Sequence, residues 1–99
     1  MSGPDYRRVY QRCIADIQGI RDLFDDRSLC QHRELAREKM ANLKAGWRAV
    51  IRNYRGTEAE RIVSEALARI TVKSNSNPSR SWLSNLEEAR IDLDFYARQ

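Results

Sequence analysis

Six cations recur along one stretch of this sequence: Arg33, Arg37, Lys44, Arg48, Arg52 and Arg55. Read as a helix at about 100° per residue, they fall on one side of the wheel. A guanidinium is a planar fork of donors that fits phosphate or carboxylate in a bidentate way, so an aligned row of them suits a polyanion. Between Lys39 and Arg55 there are five cations and no acid, with Trp47 and Tyr54 set among them. At 1.5 Å per residue the row from Arg33 to Arg55 covers roughly 33 Å, enough to follow several phosphates.

The competing chemistry is neutralisation within the fold. Folding a first helix back on the second brings Asp16 near Arg37 and Asp5 near Arg48. Folding a third back brings Glu65 near Arg48 and Glu58 near Arg55. Pairing of this kind is the expectation, because a charged stripe flanking an apolar seam usually solvates or pairs. Trp47 and Tyr54 fall in that seam and are read as core, not as stacking platforms.

Other reactive side chains form no constellation. His32 is the single histidine, and Cys30-Gln31-His32 lacks the further ligands that zinc needs. Asp25 and Asp26 are adjacent, hence on different faces, and read as a helix stop. Glycine-rich phosphate loops and nucleophile motifs are absent from the sequence. Residues 66–70 followed by 78–86 resemble a helix-turn-helix, but the connecting tract is too long and lacks its glycine, and Glu87 and Glu88 would repel phosphate. Ser84 with Glu87 is more simply a capping box.

These side chains need helices to position them. A first helix starts at Pro4 or Asp5, with apolar residues Tyr6, Tyr10, Cys13, Ile17, Ile20 and Phe24 at steps of four and three. Residues 25–28 break it and offer Asp26 or Ser28 as the next N-cap. The second helix, begun by Leu29 and Leu35, runs to about Arg55 on the seam Ala36, Met40, Leu43, Trp47, Val50, Tyr54. It is the longest, about 40 Å, and Gly56 stops it. Thr57 and Glu60 form a capping box for a third helix ending near Val72 or Lys73. The polar tract 73–79 is a loop. The fourth helix begins between Asn77 and Ser81 and buries Trp82, Leu86, Ala89, Leu93 and Tyr96.

Short connections force antiparallel neighbours, so the expected fold is all-α: one domain over residues 1–99, an up-down-up-down four-helix bundle. Its 99 residues, 41% of them hydrophobic and 32% charged, suit a compact helical domain. The net charge of +4 is uneven, with the excess of arginine in the first half. No secretory signal and no membrane-spanning run is read. Cys13 should face the region of Met40 with Cys30 near the turn, too far apart to bridge. Two free thiols imply a reducing compartment, the cytoplasm.

Ile91 and Phe95 lie one turn apart on the back of the fourth helix, opposite its seam. Two large apolar groups on a solvent face point to a protein contact. The expectation is therefore a non-enzymatic bundle, a regulator, adaptor or inhibitor, acting through protein contacts, with a second copy among the candidate partners. The alternative is nucleic-acid binding by the basic stripe, and the third is a small all-α enzyme. No cofactor, metal or membrane partner is expected.

Overall fold

The computed structural model describes residues 5–25, 30–71, 78 and 80–99. These residues form four helices: α1 (Arg7–Arg21), α2 (Arg33–Asn53), α3 (Glu58–Thr71) and α4 (Arg80–Ala97). Each helix runs antiparallel to the next. Between α1 and α2, the Tyr6 and Tyr54 rings meet edge to face at 5.8 Å, and Trp47 Nε1 donates to Asp16 Oδ2 at 3.2 Å. Between α3 and α4, Arg61 sits over the Tyr96 ring and Arg69 Nε lies 2.8 Å from Asp92. The ring closes between α1 and α4, where Tyr10 meets Tyr96 and Arg21 lies 2.8 Å from Glu87. The α3–α4 pair thus lies side by side, unlike the crossed helices of a helix-turn-helix. Across one diagonal of the bundle the α1 and α3 backbones approach closely; across the other, α2 and α4 stand further apart among the described residues.

The seams place the core where four-and-three spacing puts it. Ile17, Ile20, Ala36, Val63, Leu86 and Leu93 are fully buried, and Trp47 and Tyr10 are the largest of the fully buried side chains. Leu35, read as part of the α2 seam, is exposed, and Ala36 takes the inward position. Both thiols are free, Cys13 buried and Cys30 in the turn.

The first connection departs from expectation. Helix α1 ends at Arg21, not Phe24, because Leu23 N–H bonds Ile20 O and Phe24 N–H bonds Arg21 O, tightening the last turn. Phe24 then faces Cys30 in an isolated antiparallel bridge, and Gln31 N–H donates to Leu23 O at 3.1 Å. The proposed caps Asp26 and Ser28, with Leu29, lie outside the described residues. Helix α2 starts only at Arg33, so its 21 residues give about 31 Å instead of 40. It remains the longest of the four described helices.

A longer turn shifts the register of the whole α1–α2 hairpin. Asp16 meets Trp47, ten residues further along α2 than the Arg37 expected of it. Cys13 accordingly shares a groove with Trp47 and not with Met40.

The α2–α3 corner follows its residue types. Gly56 takes φ +83°, the left-handed region that glycine enters at little cost. Thr57 Oγ1 donates to Tyr54 O and accepts Glu60 N–H at 3.4 Å, as a capping box requires. The Glu60 carboxylate reaches back to Gly56 N–H, one residue earlier than the usual target. Ser84 lies within α4, so it caps nothing. The tract 73–79 lies outside the described residues except for Pro78.

Candidate interaction surfaces

Five of the six stripe cations sit on α2 itself. Arg55 falls just past it, in the turn that Gly56 closes. Arg33, Arg37, Arg48, Arg52 and Arg55 are exposed and Lys44 is half-buried. Partial burial and the neighbouring Arg48 guanidinium both lower the pKa of Lys44. A cation whose proton is disfavoured by its neighbours gains when an anion arrives.

The acids expected to neutralise the stripe are engaged elsewhere. Asp5 binds Arg7, accepting its backbone N–H at 2.9 Å and its side chain at 3.0 Å. That contact holds the Asp5 carboxyl down at about 2. Asp16 accepts the Trp47 indole N–H. Glu58 turns toward α1 and accepts the Tyr10 hydroxyl at 3.1 Å, not Arg55. Glu65 pairs along its own helix with Arg61 at 3.7 Å, not with Arg48. Among the described residues, Arg33, Arg48, Arg52 and Arg55 make no ion pair. Glu34 and Glu38 lie in the first turns of α2, so its exposed arginines without an acid on the same helix nearby are those of its second half, Arg48 to Arg55.

The aromatics in the stripe belong to the interior. Trp47 is 1% exposed, and Tyr54 is half-buried against Tyr6. Recognition on this face is left to the cations.

The opposite edge of the molecule is balanced. Arg69 bridges Asp92 and Glu88, Glu87 takes both Arg21 and Arg90, and Asp94 holds Arg98 at 2.9 Å. Within this side, Ile91 is 54% and Phe95 58% exposed. Phe95 rests edge-on against Tyr96, with centroids 5.1 Å apart, and its other face is open.

A groove of about 600 Å³ opens between α1 and α2, and sequence reading missed it. Arg8, Arg12, Asp16, Asn42 and Asn53 are among its polar lining, and Trp47 and Tyr54 form its aromatic wall. Small residues make it possible: a Cβ built on Gly46 would meet nothing within 4 Å. The readable signal was the run of Asn42, Gly46 and Ala49 in positions where a packed hairpin carries larger side chains.

Among the described residues no three metal-ligating side chains come together, and no helix is long and apolar enough to cross a membrane. His32 is exposed at the start of α2. Burial pushes the Cys13 thiol up to about 12, the reverse of what a nucleophile needs. Comparison with protein families, curated proteins and solved structures gives no match to this chain.

Proposed function

We propose that this chain works by binding, not catalysis, and that the basic face of α2 is its interface for nucleic acid. One observation supports the reading: Asp5 and Glu65 pair with other arginines, Asp16 and Glu58 accept from neutral donors, and Arg48, Arg52 and Arg55 are exposed without ion pairs among the described residues. Cations at four-residue spacing stand about 6 Å apart along the helix. Ala41 and Ala45, also exposed, leave the outer surface low enough for a backbone to approach. Such contacts address phosphates and carry no base readout, so binding should be sequence-tolerant.

The test is affinity for duplex DNA and RNA against salt. Four phosphate contacts give a slope of about −3 to −4 in log affinity against log salt. Arg48→Glu with Arg55→Glu should abolish binding while helix content stays unchanged. No binding at low salt in the parent chain would end the idea.

The exposure of Ile91 and Phe95 favours a second interface, a protein contact of the kind a regulator, adaptor or inhibitor uses. A reducing compartment such as the cytoplasm suits both roles and the two free thiols.

A further inference from the structure

The outward face of α4 repeats the spacing of a packed seam. Ser84, Glu88, Ile91, Phe95 and Arg98 follow one another at steps of four, three, four and three, and all are exposed. At 3.6 residues per turn they share a sector of about 80°. Arg98 N–H still bonds Asp94 O at 3.1 Å, so helical geometry carries the seam to its last residue. Heptad spacing on a solvent-facing surface is what one helix presents to another. Its composition is ordered: a carboxylate at one end, two large apolar groups in the middle, a guanidinium at the other.

That order chooses the partner. We infer that α4 pairs with α4 of a second copy of this chain, antiparallel about a two-fold axis; this rests on reading Ile91 and Phe95 as a contact surface. Antiparallel pairing sets Ile91 on Phe95 of the partner copy and Phe95 on its Ile91. The same register sets Glu88 opposite Arg98 at both ends, so the contact is self-complementary and closed. Parallel pairing would oppose Glu88 to Glu88 and Arg98 to Arg98, which is repulsive.

Glu88 can turn outward, and Arg98, held by Asp94 through Nε at 2.9 Å, keeps its two terminal nitrogens for a second carboxylate. The Glu88 and Arg98 side chains are 60% and 79% exposed. Glu88 is 3.7 Å from Arg69, which holds Asp92 more closely at 2.8 Å, so Arg69 stays paired if Glu88 turns outward. A single helix face buries less than the roughly 1,200 Å² of a standard interface, so the dimer is reversible and concentration-dependent.

Sedimentation equilibrium over a concentration series, with helix content checked by circular dichroism, tests this. The parent chain should dimerise, and Ile91→Asp with Phe95→Asp should leave a folded monomer. Glu88→Arg alone and Arg98→Glu alone should each weaken association about tenfold, since each places two like-charge contacts in the interface. The double change Glu88→Arg with Arg98→Glu should restore it. A parent chain still monomeric at about 1 mM overturns the inference. A dimer that dissociates on Ile91→Asp with Phe95→Asp but is not rescued by the double swap overturns this pairing and leaves the contact surface standing. A dimer indifferent to both sets of changes overturns both.

Discussion

Cys13 and Cys30 have the same chemistry and opposite surroundings. Cys13 is enclosed by the α1 seam, and burial, with Asp16 close by, raises its pKa from the ordinary value near 9 to about 12. Cys30 is half-buried in the turn after α1. A thiol reagent at pH 8 should therefore label one equivalent quickly, and mass mapping should place it on Cys30. The raised Cys13 value also gives a pH dependence with a definite sign. The neutral thiol is preferred in the fold, so its contribution is fully present below pH 9 and is lost as pH rises from 9 toward 12, because the unfolded chain ionises first. Tyr10 acts in the same direction, its hydroxyl buried and donating to the Glu58 carboxylate. The urea midpoint should fall across this range, and Cys13→Ala should flatten the fall. The free state of the thiols and the seam position of Cys13 were legible in the sequence. Burial of Cys13 followed from its seam position, but the depth of its burial and the hydroxyl–carboxylate contact depend on how α1 and α3 meet across the bundle.

At the scale of elements, seams were readable and registers were not. The steps of four and three along α1, α2 and α4 located Tyr10, Ile17, Met40, Trp47, Leu86 and Leu93, because a packed helix must repeat its apolar residues at that period. Which residue faces which depends on turn length, and the turn after α1 is closed by the Phe24–Cys30 bridge, for which residues 25–28 carry no signal. With α1 ending at Arg21 and α2 starting at Arg33, Asp16 meets the long Trp47 side chain and not Arg37. The α2 stripe itself was legible, since it needs only the helical period; its freedom from neutralisation was not. A measurable consequence belongs to this helix. Arg48→Glu gains Lys44 and Arg52 as neighbours one turn away on either side, and neither Arg48 nor Arg55 loses an ion pair. The melting temperature of the Arg48→Glu, Arg55→Glu chain should stay within about 4 °C of the parent, under about 1 kcal/mol for a domain this size. A drop well beyond that would show that acids within the bundle do hold the stripe.

For the molecule as a whole, charge is divided by side. Arg61, Arg69 and Arg90 on α3 and α4, and Arg98 just past α4, are held in bridges to carboxylates of those two helices, while Arg48 and Arg52 on α2 are in none among the described residues. The +4 net charge therefore understates the field on one side and overstates it on the other. The wide separation of α2 and α4 has a consequence of its own. Arg48 and Phe95 face outward from helices on opposite corners of the bundle, so substitutions there should act on stability independently. A cycle combining Arg48→Glu with Phe95→Asp should sum to within about 0.5 kcal/mol in urea unfolding. The same geometry fixes what self-association through α4 would present to a polyanion. Two copies joined back to back turn their basic helices outward in opposite directions. Such a particle would have no cleft in which to embrace one strand, and on the proposed reading of both faces it would instead act as a tether between two separate duplex segments.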